Sequence, residues 1–165
     1  MVKMADLKTV FEDLGFTNVQ TILNSGNVIF ETIDTNISLL TKKIIGSLFK
    51  KFGREIGVIV RTAEEIHQLV KSDPFKNIKV PPATRLYVTF LAEPPTSTLP
   101  IPYQSPEKDF QILRLTNSEV YSVITISTQK NTTDLMKVMD KEFGRKVTTR
   151  NWNTVLKCVD TLPRL

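Results

Sequence analysis

The chain has 165 residues and a mass of 18.7 kDa, enough for one domain or two small halves. At this size roughly 70% of the unfolded surface can be buried without disulfide or metal staples. Hydrophobic residues at 41% and charged residues at 24% exclude a disordered chain, a collagen and a disulfide scaffold.

Lys and Arg total 22 against 17 Asp and Glu, giving a net charge of +5 and a pI near 9.4. A pI above 9 is shared by many nucleic-acid binders. The charge is spread, however: residues 1–82 carry 11 basic and 9 acidic groups, residues 83–165 carry 11 and 8. A mildly basic surface with no basic tail is the plain reading. The lone Cys158 allows no intramolecular disulfide and suits a reducing cytoplasm. The longest helical candidate is broken by Lys42, Lys43, Lys50 and Lys51, so no membrane span is expected. An N-terminal h-region is absent, so no signal peptide is read and cytoplasmic localisation is expected.

Met4, Leu7, Val10, Phe11 and Leu14 recur at helical spacing and stop at Gly15. Val19–Leu23 and Val28–Glu31 read as a hairpin around Asn24-Ser25-Gly26-Asn27. Ile37, Leu40, Ile44, Leu48 and Phe52 form one apolar helical face that ends at Gly53. Glu55–Arg61 predicts a strand with a Val58-Ile59-Val60 centre. Thr62 and Glu65 form a capping box for a helix carrying Ile66, Leu69 and Val70, stopped by Asp73-Pro74.

Arg85–Leu91 alternates, with Leu86, Val88 and Phe90 on one face and Arg85, Tyr87 and Thr89 on the other. Five of the nine prolines follow (Pro94, Pro95, Pro100, Pro102, Pro106), and they predict a long surface loop. Phe110–Leu115 and Val120–Ile126 read as a second hairpin around Asn117-Ser118. Thr132 or Thr133 caps a helix with Leu135, Met139 and Phe143, ended by Gly144. Val147–Thr149 is a short strand, and Asn151 can cap a last helix bearing Trp152, Val155, Leu156, Val159 and Leu162. The first half thus runs α-β-β-α-β, a split βαβ unit without its first strand. The second half, counting 55–61 again, runs β-α-β-β-β-α-β-α. The expected fold is α+β: two ferredoxin-like halves in an α/β sandwich, bounded at 1–61 and 62–165, with the first strand of the N-terminal half missing.

Two stretches resemble a known family. One runs from Met4-Ala5-Asp6-Leu7 through Gly15-Phe16-Thr17-Asn18-Val19 to Asn24-Ser25-Gly26-Asn27-Val28-Ile29-Phe30. The other is Thr149-Arg150-Asn151-Trp152-Asn153-Thr154-Val155 with Lys157. Together they resemble the bacterial family of uncharacterised proteins known as domain of unknown function 1697. The resemblance implies ferredoxin-like halves and supplies no activity. It also implies an opening strand and a Gly-Gly loop upstream of Val2-Lys3-Met4. The reading frame ahead of Met1 is therefore expected to continue with them.

The residues define no known chemistry. The six glycines build neither a P-loop nor a G-x-G-x-x-G turn. One histidine and one cysteine cannot assemble a zinc site, and neither metal nor cofactor is expected. His67 and Cys158 read as boundary residues, and Glu12-Asp13 and Glu64-Glu65 as solvated helix surface. Asn24, Ser25 and Asn27 read first as turn residues; their backbone amides could also meet an anion. Arg150, Asn151 and Asn153 combine a helix cap with a cation, which suits phosphate. Arg85 and Tyr87 share a strand face, and Tyr121 could lie similarly. An open face of that kind stacks single-stranded bases in RRM-type folds.

The leading expectation is a binding module for a phosphate-bearing ligand, an anionic small molecule or single-stranded nucleic acid. It would use Arg85, Tyr87, Arg150 and Asn153, with Lys146 adding to the field. A small-molecule enzyme with a cleft between the halves, using Ser25, Asn27 and Arg150, is the second class. A homo-oligomer formed through an open sheet edge is the third.

Overall fold

A computed structural model describes residues 2–23, 26–79, 82–125 and 133–163. The chain divides into two compact units: Met1–Gln68 with Leu156–Leu165, and Leu69–Val155. The division falls inside a helix, α3 (Ala63–Lys71), and the last helix, α5 (Trp152–Thr161), contributes to both units.

The N-terminal unit runs α1 (Met4–Asp13), β1 (Thr17–Ile22), β2 (Asn27–Glu31) and α2 (Ile37–Phe52). Apolar spacing turns Leu7, Val10 and Phe11 of α1 and Leu40, Ile44 and Leu48 of α2 into one core with Phe16 and Val19. Full burial of such a side chain contributes about 1.5–3 kcal/mol. Phe16 stacks on Phe30 with ring centroids 4.4 Å apart, and Phe11 meets Phe30 edge-on at 5.2 Å. Asn36 caps α2 by accepting the Leu39 N–H (3.1 Å), and Gly53 ends it at φ +69°, where a side chain would be strained. β1 and β2 pair antiparallel as a two-stranded sheet.

The expected strand at Glu55–Arg61 needs correction. Residues 54–62 are not in a strand ladder, although Ile56, Val58 and Val60 pack alternately on the same core. The side-chain pattern of a strand is there, and the neighbouring strand that would turn it into a ladder is not among the described residues. The strand expected ahead of Val2 lies outside them too.

The C-terminal unit holds β3 (Thr84–Leu91), β4 (Tyr103–Gln104), β5 (Phe110–Leu115), β6 (Glu119–Thr125), α4 (Thr133–Phe143) and β7 (Val147–Asn151). They form one antiparallel sheet in the order β4-β5-β6-β3-β7. The hairpin β5–β6 lies on one side of β3 and the last strand β7 on the other, which is the split βαβ arrangement. Thr116 shapes the hairpin turn by accepting the N–H groups of Ser118 (3.2 Å) and Glu119 (2.9 Å). Leu135 and Met139 of α4 cover one face, closing a core with Leu91, Phe110, Ile112, Val120 and Ile124. Ile126 and Thr132 lie outside the described residues.

The proline-rich segment is also more than a surface loop. Leu99, Ile101 and Tyr103 pack against that core, and β4 adds an edge to the sheet. Ser97 Oγ ties the segment to Glu142 at 2.8 Å. Proline removes backbone donors but leaves side chains able to pack, and composition alone hid that.

Candidate functional site

The ladder register decides which sequence-predicted residues meet. Tyr87 stands opposite Asn151, and Val88 opposite Arg150. β7 runs antiparallel to β3 and ends at Asn151 opposite Tyr87, two residues along β3 from Arg85, and α5 begins at the next residue, Trp152. One corner of the C-terminal unit therefore gathers Arg85, Tyr87, Asn151 and Asn153.

Each of these residues has a defined local role. Asn151 Oδ1 accepts the N–H of Asn153 at 2.9 Å, so it is the expected cap of α5. Arg85 is exposed, and its Nη1 donates to the carbonyl oxygens of Pro82 (3.0 Å) and Thr84 (3.1 Å). Asn153 is exposed, and the first turn of α5 carries no acidic residue. Trp152 is half-buried and meets Phe75 edge-on at 5.2 Å.

Other placements depart from the expectation. Arg150 shares a face with Val88, opposite to that of Tyr87, and its Nη1 donates to Thr148 Oγ1 (2.8 Å) and the Thr149 carbonyl (2.9 Å). Lys146 lies at the other end of β7 from Asn151, roughly 15 Å away for a strand of that length, and pairs with Glu93 at 3.2 Å on the surface. Asn27 belongs to the N-terminal unit, where its Nδ2 donates to the Ile22 carbonyl across the hairpin (3.2 Å). Asn24 and Ser25 lie outside the described residues.

The open tyrosine face does not form. Ile112, Ser122, Tyr87 and Asn151 stand in one row across the sheet, so they share the face that α4 covers. Tyr121 pairs with Val88 and points to the opposite face, where it meets Phe75 edge-on at 5.8 Å. Burial, with the neighbouring Glu119 carboxylate adding to it, pushes the Tyr121 hydroxyl up to about 12. Alternation told correctly that the faces differ, but a sheet covered on both sides has no open one.

Two polar features inside the sheet went unnoticed in the sequence. Thr89 and Thr149 share a hydrogen bond of 2.8 Å between their hydroxyls. Ser122 Oγ is fully buried and has no hydrogen-bond partner among the described residues. Small hydroxyl residues inside an apolar strand are the only signal, and it does not say which partner arrives. In the N-terminal unit His67 Nε2 donates to the Pro163 carbonyl at 2.9 Å, a brace between α3 and the end of the chain. Among the described residues no three His, Cys, Asp or Glu side chains gather as a metal site. No described helix is long and apolar enough to cross a membrane.

A ferredoxin-like α+β architecture with a half-open corner at a helix start defines a class of fold and no single activity. The chain belongs to the family described as protein of unknown function 1697, which it matches over residues 1–121. That match ends before the Thr149–Thr154 run. A solved structure described as a conserved bacterial protein from Streptococcus pneumoniae is similar, with a TM-score of 0.68 and 19% identity, over 97% of this chain and 88% of that one. At that identity the likeness speaks for the fold alone. No curated protein matches the chain.

Proposed function

We propose that the chain is a binding protein for a phosphate-bearing ligand, held at the corner where β3 begins and β7 turns into α5. The observation that carries this reading is the convergence of an exposed Arg85 with an acid-free helix start across the β3–β7 ladder. Asn151 occupies one first-turn amide. The other amides of that turn have no partner within the helix, and the helix dipole favours an anion beside them. Arg85 supplies a full charge and a planar donor fork. Among the described residues only Nη1 of that fork is engaged, and only by carbonyl oxygens. The net charge of +5 adds attraction at longer range. With the two tyrosines on opposite covered faces, phosphate rather than base stacking is what this corner can recognise.

Trp152 is the single tryptophan and sits at the first position of α5, so its emission reports on the corner. Titration with pyrophosphate at about 50 and 200 mM salt is expected to give a saturable change that weakens with salt. Loss of one charge-assisted contact in Arg85→Ala should weaken binding about tenfold. A single-stranded oligonucleotide in the same assay tests whether the phosphate belongs to a polymer. No saturable response to pyrophosphate or oligonucleotide overturns the reading.

A further inference from the structure

The long helix of the N-terminal unit has two faces of different kinds. α2 buries Leu40, Ile44 and Leu48 in the core. Leu39, Lys42, Lys43, Gly46, Phe49 and Lys50 fall on the opposite arc, and all six are exposed. Leu39 is 62% and Phe49 55% exposed, unusual for side chains of that size. They stand roughly 15 Å apart along the helix axis, with lysines and a glycine between them. This surface shares no residue with the corner of β3, β7 and α5.

The packing of the unit does not require this combination. α2 contains no Asp or Glu along its whole length, so its lysines have no acidic partner within the helix. Among the described residues the carboxylate paired with this face is Asp34, 4.0 Å from Lys43 Nζ on the surface. Lys50 suits the negative end of the helix dipole, but Lys42 lies in the first half of the helix, where the dipole gives it no reason to be. Gly46 weakens a helix interior, yet a Cβ added there would meet nothing within 4 Å. The helix thus keeps a glycine that its own surroundings do not need, and close approach from outside is what such a position permits.

We infer that the outer face of α2 docks an acidic amphipathic helix of another protein. The uncompensated lysines fix the sign of the partner's charge. Leu39 and Phe49 call for apolar side chains with carboxylates beside them, which is the pattern of a helix of about three turns. Gly46 lies between the two, where the helix axes can come closest. An anionic lipid surface fits less well. The neighbouring helix α1 exposes Glu12 and Asp13, and an extended anionic layer would spread its charge over these carboxylates, whereas a single helix can lie on α2 alone.

The test uses the intact chain and, as probe, a fluorescein-labelled peptide of about eighteen residues, long enough to be helical. It is built from Glu, Leu and Ala, with leucines at alternate third and fourth positions and glutamates flanking them. Anisotropy should show saturable binding that weakens as salt rises from about 50 to about 300 mM. Amide shift changes in the protein should centre on residues 39–50. A peptide of the same composition, with its leucines moved off the helical period, should not bind. Lys42→Glu and Leu39→Ser should each weaken binding about tenfold or more. Gly46→Gln separates fold from docking. It should raise the denaturation midpoint, because glycine is the poorer helix former, and weaken the peptide about tenfold. No saturable binding, equal binding of the rearranged peptide, or unchanged affinity in Gly46→Gln overturns the inference. Binding to vesicles of phosphatidylserine and phosphatidylcholine without binding to the peptide overturns it in favour of a lipid surface.

Discussion

The N-terminal and C-terminal units share the order of hairpin, helix and extended segment, but among the described residues only the C-terminal one closes a sheet. In the C-terminal unit β7 is a strand because β3 lies beside it, with five register pairs from Tyr87–Asn151 to Leu91–Val147. In the N-terminal unit residues 55–60 have at least as strong a strand sequence, with Val58-Ile59-Val60 at their centre, and no ladder among the described residues. The difference teaches that strand formation is a property of pairs. Alternating side chains anchor an extended segment to a core, while its backbone stays unpaired until a neighbour supplies donors and acceptors.

The largest expected effect breaks the closed unit. Val88 is fully buried at the centre of β3, between β6 and β7. Val88→Asp places an unpaired charge there and should cost about 4 kcal/mol or more. Chemical denaturation checks it, and a loss under about 1 kcal/mol would mean that β3 does not hold the sheet together. Hydrogen exchange sharpens the contrast directly. Amides of 55–60 should exchange faster by about a hundredfold or more than those of Val88, Thr89 and Phe90, since the former open locally and the latter need the unit to unfold. Equal rates would show that the extended segment is already paired.

Alkaline titration gives a further marker of the closed unit. The Tyr121 hydroxyl is raised from 10.0 to about 12 because its anion would be buried beside Glu119. The folded state therefore holds the proton more tightly than the unfolded one. Its contribution to stability is whole below pH 10 and is lost as pH rises from 10 towards about 12. Tyr121→Phe should flatten the stability curve in that window and leave the neutral range unchanged, as followed by denaturant midpoints across pH. An unchanged alkaline slope would place the titrating group elsewhere. The smallest effect concerns the corner. Asn151→Ala removes the cap of α5 and should cost about 1 kcal/mol, with Asn151→Asp retaining most of it. A neutral Asn151→Ala would mean that the Asn153 amide is satisfied by another group.

Much of the local structure was legible in the chain itself. The apolar spacing of α2, its stop at Gly53, the Thr62 cap, the two hairpins and the Asn151 cap all depend on neighbours within a few residues. These are short-range effects of torsion, capping and periodicity, and residue order contains them. The candidate corner was half legible. Arg85, Asn151 and Asn153 could be named, while Arg150 and Tyr87 were assigned surroundings they do not have.

What tertiary structure alone decided was partnership. The register Tyr87–Ser122 and Val88–Tyr121 sends the two tyrosines to opposite faces, because neighbouring residues in a strand alternate and pairing fixes which residues share a row. The proline-rich segment joins a core because β5 offers it an edge at Tyr103 and Gln104. Residues 55–60 stay outside any ladder because no strand lies beside them among the described residues. Composition and periodicity describe what a segment can do by itself. Hydrogen-bonded sheets and covered faces depend on residues far apart in sequence, and their meeting is fixed only when the whole unit packs.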